Sequence, residues 1–178
     1  NAHALARYAA ICQEQGIVPI VEPEVFIEGK HSIYKSKEVN EKVFKKVFME
    51  LQEQNVDLDS IVLKPSMIIQ GDKNPDRLSV EKIAEINIEF LLNNVPYEVP
   101  GIAYLSGGMS DDDSILILRK INQYAKEKAT QWEITFSYGR GLQSAAMYEW
   151  RGKKENIMSA QKIFIKRCRQ ASMARQGL

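Results

Sequence analysis

Four short runs rich in β-branched residues recur along the chain, separated by longer amphipathic stretches. The runs cover residues 17–23, 61–67, 101–108 and 133–140, and apolar residues dominate each of them. Near-continuous hydrophobicity over so few residues predicts strands that are covered on both faces, as in a parallel sheet. Strands that alternate with helices favour a parallel α/β fold.

The stretches around these runs carry apolar residues at helical spacing. We expect Ser36, Ser79 and Ser110 to cap the helices that follow the first three strands, because serine is a preferred N-cap residue. Residues 142–150 and 156–175 predict two further helices. With an amphipathic helix at the start, the predicted order is one helix, four strand–helix units and a last helix.

Two connections are longer than a simple turn between elements requires. They cover residues 26–34 and 68–78. Long loops of compact domains often carry function, so both are candidate binding loops.

A polar residue stands at or near the end of every predicted strand. These residues are Glu22, Lys64, Ser106 and Arg140, each about one strand–helix unit from the next. In a (β/α)8 barrel the catalytic groups come from such strand ends. An open doubly wound sheet would also bind ligands there, although no glycine-rich dinucleotide loop follows the first strand. A structural ion-pair network is a third interpretation, since buried charges must be paired.

Alternation along each strand predicts which side chains share a face. We take every second residue back from the polar residue at each strand end and expect these side chains to line the barrel. They are Val18, Ile20, Glu22 and Glu24 of the first strand; Val62, Lys64 and Ser66 of the second; Ile102, Tyr104 and Ser106 of the third; and Phe136, Tyr138 and Arg140 of the fourth.

Lys64 is the candidate nucleophile. It lies within an apolar strand, where desolvation disfavours the ammonium ion and yields the free amine that a Schiff base needs. Glu22 and Glu24 flank Pro23 on the preceding strand, and carboxyl groups can move the protons of such a reaction. Carboxylates also favour the ammonium ion, so a second cation near Lys64 is expected.

Glycine-rich turns follow the last two strands. Residues 105–108 read LSGG and residues 139–141 read GRG. Glycines let backbone N–H groups approach an anion, and a helix N-terminus favours negative charge. Arg140 can hold a phosphate through two hydrogen bonds. The turns predict a phosphate site, with two tight turns that bind nothing as the alternative.

Composition narrows the range of partners. The 178 residues are 44% hydrophobic and 26% charged, with a formal net charge of +1, which gives no reason to expect nucleic acid as the partner. No apolar run approaches the ~18 residues of a membrane span. With two His and two Cys, no metal site is expected, and the acidic residues 111–113 are read as a helix N-terminus.

Taken together, these segments resemble class I fructose-1,6-bisphosphate aldolase. The matching blocks span nearly the whole chain: residues 1–8 (NAHALARY), 16–24 (GIVPIVEPE), 63–67 (LKPSM), 105–108 (LSGG), 135–140 (TFSYGR), 142–143 (LQ) and 152–156 (GKKEN). The resemblance implies a (β/α)8 TIM barrel, an α/β fold. Residues 1–178 would form a single domain, the last four βα units plus a C-terminal helix.

The resemblance also implies roles for individual residues. Lys64 is expected to be the Schiff-base lysine, Glu22 the main acid/base residue, and Glu24 a residue that orients and polarises the site. One substrate phosphate is expected to contact Leu105, Ser106, Gly107, Gly139 and Arg140. Ser66 stands where the family usually has asparagine.

The implied reaction is the reversible cleavage of fructose 1,6-bisphosphate to dihydroxyacetone phosphate and glyceraldehyde 3-phosphate, with no metal and no cofactor. The family resemblance further implies a cytoplasmic glycolytic enzyme and a homotetramer. Aldolases of the transaldolase or deoxyribose-phosphate type also use a strand lysine but lack this set of motifs. A non-catalytic scaffold that binds actin or adhesin tails is the alternative function.

The chain is about half as long as the family's usual length. We therefore expect it to be the C-terminal half, without four strands that bring an aspartate, two lysines and an arginine to the site. The family's C-terminal tail, with its functional tyrosine, is also expected to be missing. On this expectation the 178 residues alone are inactive.

Overall fold

The computed structural model describes residues 1–178 and alternates helices with short strands. The elements in chain order are α1 (Ala2–Glu14), β1 (Ile20–Val21), α2 (Ile33–Glu53), β2 (Val62–Leu63), α3 (Val80–Asn94), β3 (Gly101–Tyr104), α4 (Asp111–Glu127), β4 (Glu133–Phe136), α5 (Arg140–Trp150) and α6 (Ile157–Arg175). Short 3-10 turns, Leu58–Ser60 and Lys154–Asn156, precede β2 and α6. This order confirms the predicted strand–helix alternation.

The four strands form one parallel sheet in the order β1-β2-β3-β4. Strands that pair with their neighbours in chain order, each connected through a helix, are the arrangement of a partial (β/α)8 barrel. The strands are shorter than predicted, and Arg140 begins α5 instead of ending β4. The residues of interest therefore lie in the segments just beyond the strands.

The register of the sheet corrects the predicted barrel face for β3 and β4. Val62 pairs with Gly101, and Gly101 with Glu133, so these residues share a face with Lys64. The side chains predicted there, Ile102 and Tyr104, are buried instead on the opposite side of the sheet, in the helix layer. Bulky side chains gain most from burial against the helices, which leaves glycine and alanine for the other face.

The same register moves Phe136 away from the face that carries Lys64. Tyr138, two residues beyond β4, is buried with its hydroxyl bonded to α4. Ser106 and Arg140 lie beyond the ends of their strands, so strand alternation does not place them. For β1 and β2 the prediction is confirmed at Ile20, Val62, Glu22 and Lys64, because Ile20 pairs with Val62 and Lys64 contacts Glu22. Val18, Glu24 and Ser66 lie outside these strands.

The core lies between the sheet and the helices. Its largest fully buried side chains include Phe44, Leu51, Leu63, Leu91, Leu118 and Ile121. Phe44 from α2 meets Phe90 from α3 edge-to-face, with ring centroids 4.8 Å apart. The opposite face of β1 is open, and Ile20 is half exposed there.

Serine caps fix the starts of three helices. Ser79 and Ser110 accept hydrogen bonds from Lys82 N and Asp113 N, which confirms both predicted caps. Ser36 does not cap α2, because that helix begins one turn earlier with Ser32 as its cap. Ser36 is buried inside the helix, where its carbonyl oxygen accepts a bond from Asn40.

Candidate functional site

Lys64 and Glu22 meet at the carboxyl end of the two adjacent strands β1 and β2. The Lys64 backbone N–H donates to Val21 O at 2.7 Å, which extends the ladder by one residue beyond β2. Lys64 Nζ donates to Glu22 Oε2 at 3.0 Å. The Lys64 side chain is 20% exposed and that of Glu22 39% exposed. The pair is therefore sheltered but open to a small molecule, and its geometry allows direct proton exchange.

Glu24 lies on the other side of a tight turn at Pro23. Its backbone N–H donates to Glu22 O at 3.1 Å, and its side chain is exposed. Glu22 and Glu24 both line a cavity of about 720 Å³ that Tyr8 and Phe26 also line. The two carboxylates share this cavity, but only Glu22 contacts Lys64.

Burial, followed by the charges of Cys12 and Glu22, raises the pKa of the Tyr8 hydroxyl. This group therefore keeps its proton near the candidate site at neutral pH.

Two polar side chains hold the segments beyond β1 and β2. Ser66 Oγ accepts a hydrogen bond from Val25 N at 3.1 Å, which joins the chain after Glu24 to the chain after Lys64. The buried amide of Asn87 in α3 accepts from Ile68 N and donates to Ile68 O, both at 2.9 Å. Such two-sided bonding fixes the backbone a few residues beyond Lys64.

The turn after β3 has the form of an anion-binding loop. Gly107 and Gly108 have positive φ angles of 53° and 82°, which residues with a side chain rarely adopt. A Cβ atom on Gly107 would lie 2.9 Å from Leu105 Cδ1. Leu105 N donates to Pro65 O at 3.0 Å, so the loop that leads into α4 is anchored next to the Lys64 segment.

Arg140 opens α5 with its side chain exposed. The N-cap residue Gly139 has no side chain to occupy the first amides of this helix. Gly141 packs against Ser106, where a Cβ atom would lie 3.2 Å from Ser106 Cβ. The segment 105–110 and the start of α5 are therefore in direct contact. We call them the paired phosphate loops, after the phosphate site that the sequence predicts there.

Tyr138 connects the segments of these two loops on the helix side of the sheet. Its hydroxyl donates to Ser114 O in the first turn of α4 at 2.9 Å. Burial raises the pKa of Tyr138, so the hydroxyl stays protonated and keeps donating. This residue was predicted to line the barrel and instead supports the loops from the helix layer.

The two long loops, residues 26–34 and 68–78, are joined by hydrogen bonds. Gly29 N donates to Asp72 Oδ1 at 2.8 Å, and Asp72 N donates to Ile27 O at 2.9 Å. The bond from Gly29 lowers the pKa of Asp72. A Cβ atom on Gly71 would lie 2.3 Å from Gly29 O, so only glycine fits this crossing. The binding role of the loops stays a prediction.

Sequence reasoning missed Ser137, which follows β4 and is exposed. Its backbone N–H donates to Tyr104 O at 2.8 Å, which extends the β3–β4 ladder by one residue and places Ser137 on the same face as Thr135 and Lys64. Strand alternation would have found it if the pairing of β3 with β4 had been known. Asn87, a support of the site, gave no sequence signal beyond being a polar residue within an apolar helix face.

Other features of the chain bear on the class of site. No group of three or more His, Cys, Asp or Glu side chains is arranged to hold a metal ion. No helix is both long enough and apolar enough to cross a membrane.

A lysine–carboxylate pair and glycine-rich turns at the carboxyl edge of a parallel strand–helix sheet define a barrel-type α/β protein with a lysine-centred site. The family model for class I fructose-bisphosphate aldolase, a glycolytic family, matches residues 1–178. The chain belongs to this family.

Individual relatives are similar over nearly the whole chain. Fructose-bisphosphate aldolase B of Gallus gallus is 44% identical over 177 residues, which are 99% of this chain and 48% of the relative. The cytosolic fructose-bisphosphate aldolase 4 of Arabidopsis thaliana is 42% identical, and the chloroplastic aldolase 1 of the same plant is 43% identical. The chain thus spans about half the length of the curated relatives it matches.

A solved structure confirms the fold. Fructose-bisphosphate aldolase from Plasmodium falciparum, crystallised with TRAP and a small-molecule inhibitor, superposes with a TM-score of 0.94 at 39% identity. The match covers 99% of this chain and 50% of that one. The predicted partial TIM barrel is confirmed.

Proposed function

We propose that this chain supplies the Schiff-base lysine and one phosphate subsite of a class I fructose-1,6-bisphosphate aldolase. The observation that carries the proposal is the contact of Lys64 Nζ with Glu22 Oε2 at 3.0 Å, at the carboxyl edge of the sheet and next to two glycine-rich turns. The reaction is the reversible cleavage of fructose 1,6-bisphosphate to dihydroxyacetone phosphate and glyceraldehyde 3-phosphate.

The lysine chemistry follows from this pair. The neutral amine of Lys64 attacks the ketone carbon of the open-chain sugar and forms a carbinolamine. Glu22 donates the proton that lets water leave, and an iminium ion results. When the C3–C4 bond breaks, its electron pair moves into the iminium and gives an enamine. Glu22, now a carboxylate, accepts the proton of the C4 hydroxyl, which becomes the aldehyde of glyceraldehyde 3-phosphate. Protonation at C3 and hydrolysis then release dihydroxyacetone phosphate and free Lys64.

The attacking amine must be unprotonated, and the contact with Glu22 opposes this. A carboxylate at 3.0 Å favours the ammonium form. A second cation beside Lys64 would restore the free amine, and the family resemblance assigns two further lysines to the half of the barrel that these residues do not span. We propose that the active unit is a complete barrel.

The paired phosphate loops would hold one substrate phosphate. Ser106, Gly107 and the backbone at Leu105 offer a hydroxyl and amide groups from one loop. Gly139 and Arg140 offer an uncapped helix start and a guanidinium from the other. Arg140 can bond two phosphate oxygens at once, and Glu24 beside the cavity would orient the catalytic carboxylate.

The test is fructose 1,6-bisphosphate cleavage by the longest natural protein that contains this chain. Lys64→Met should lower the rate at least about a thousandfold, since the covalent route is lost. Lys73→Met, in the loop that follows, is the control and should retain activity. Addition of EDTA should change nothing, because the iminium is the electron sink. Activity of Lys64→Met within tenfold of wild type, or loss of activity with EDTA, would contradict the proposal.

A scaffold role is the second candidate. The similar structure from Plasmodium falciparum was solved with TRAP, which supports a protein-binding function for this family fold. A scaffold would bind adhesin or actin partners without product formation, so the cleavage assay separates the two. A homotetramer in the cytoplasm is the assembly and location that we propose for the complete protein, in line with its cytosolic relative.

A further inference from the structure

A buried arginine in α6 is bonded to the helix that follows the first phosphate loop. Arg167 Nη1 donates to Asp112 Oδ1 at 2.6 Å and to Gln170 Oε1 at 3.3 Å. The Arg167 side chain is 9% exposed, whereas that of Asp112 is 81% exposed. Arg167 Nε and Nη2 are buried and have no hydrogen-bond partner.

Stability alone does not account for this arrangement. Burial of a guanidinium costs free energy that only complete pairing offsets. Here two of its three nitrogens are unpartnered, and the one carboxylate that it contacts is solvated. Replacing a buried ion pair by an apolar side chain of similar size is often neutral or stabilising, so stability does not require a charge at position 167.

The position of the pair indicates the purpose. Asp112 is the second residue of α4, just beyond Gly107 and Gly108 and the cap Ser110. Helix α6 packs against both α4 and α5, the two helices whose starts form the paired phosphate loops. The Arg167–Asp112 bond therefore ties the start of α4 to the helix that also supports α5.

We propose that Arg167 is a positioning residue for the phosphate site. Through Asp112 it holds the first turn of α4, and thereby aims the amide groups of the loop before it at the phosphate. This inference rests on the proposed function, because it requires that the paired phosphate loops bind a phosphate.

Electrostatics predicts whether each substitution strengthens or weakens phosphate binding. Asp112→Asn removes a negative charge near an anion site, and that change by itself should tighten phosphate binding. Loss of the tether should weaken it, because misplaced donors bind less well. Asp111→Asn is the matched control, since it removes the same charge from the same helical turn without touching Arg167.

The experiment measures the affinity for inorganic phosphate of the longest natural protein that contains this chain, together with thermal unfolding. Asp112→Asn and Arg167→Met should each weaken binding about three- to thirtyfold, and the double variant should be no weaker than either. Asp111→Asn should bind as wild type or more tightly. Because methionine fills the place of Arg167 without a buried charge, Arg167→Met should melt within a few degrees of wild type, which separates positioning from general destabilisation.

Phosphate binding by Asp112→Asn that equals or exceeds that of wild type would overturn this inference and leave the proposed function standing. Additive losses in the double variant would also overturn it, since the two residues would then act separately. If wild type bound no phosphate at all, or Arg140→Ala bound it as tightly as wild type, both the phosphate site and this inference would fall.

Discussion

At the residue scale, the proposed phosphate site depends on single side chains. Arg140 is exposed at the start of α5, beside Gly139 and against the loop that contains Ser106. This exposed guanidinium lies next to an uncapped helix start and forms no ion pair within the chain. Its charge is therefore available to a ligand.

Arg140→Ala should raise the KM for fructose 1,6-bisphosphate about ten- to a hundredfold, since a charge-assisted contact contributes about 1.5–3 kcal/mol. Steady-state kinetics on fructose 1,6-bisphosphate, fructose 1-phosphate and fructose 6-phosphate provide the measurement. The effect should shrink for the substrate that lacks the phosphate held by Arg140. Arg151→Ala, which removes an exposed arginine stacked on Tyr148, is the control. Equal effects on all three substrates would assign Arg140 a structural role.

At the scale of elements, the strands are too short to fix the geometry of the site by themselves. Side chains that form hydrogen bonds with the backbone hold the segments beyond the strands instead. Strand β2 has only two residues, and the chain after Lys64 is held by Asn87 of α3. The Asn87 amide also donates to Ile83 O at 2.8 Å within its own helix. One buried side chain thus joins α3 to the segment that follows Lys64.

Asn87→Ala should lower the free energy of unfolding by about 2–4 kcal/mol, because Ile68 N–H and C=O lose their partners in the core. Urea titration of the longest natural protein that contains this chain measures this change. Asn94→Ala is the control in the same helix, where the side chain bonds only Phe90 O one turn earlier, and it should cost less than about 1 kcal/mol. Equal losses in the two variants would show that Asn87 does not hold the segment.

The elements themselves were predictable, whereas the pairing between them was not. Apolar runs located the four strands, and serine caps located the starts of α3 and α4. Both signals are local, because each depends only on residues that are close together in the sequence. The shared face of β3 depends on whether Gly101 or Ile102 aligns with Val62, which packing against the helices decides. Lys64 and Glu22 were found because they lie at strand ends, whereas Arg167 stands in a helix and gave no local signal.

At the scale of the whole molecule, helices cover one face of the sheet and leave the other face open. Strands β1 and β4 are the edges of the sheet, and Ile17, Val18 and Ile20 are each at least half exposed. Open edges and contiguous apolar surface favour association with another chain or barrel half. This surface is where the complete barrel of the proposed function would continue.

The 178-residue chain alone should therefore form oligomers and show no appreciable aldolase turnover. Light scattering after size exclusion should give a mass above the 20.3 kDa of one chain. Ile20→Lys should shift the mass toward 20.3 kDa, since a charge on the open face opposes its burial. Tyr97→Lys, at an exposed position outside the sheet, should not. A stable monomer at high concentration, or turnover within tenfold of an intact relative, would contradict this prediction.

The central claim is that Lys64 forms the Schiff base, and reductive trapping tests it most directly. The longest natural protein that contains this chain is incubated with dihydroxyacetone phosphate and borohydride, and its peptides are weighed by mass spectrometry. Reduction turns the iminium into a secondary amine that cannot dissociate, so the peptide with Lys64 should gain the mass of the reduced adduct. Lys64→Met should show no adduct on the corresponding peptide. An adduct on a different lysine, or none in an active protein, would contradict the account.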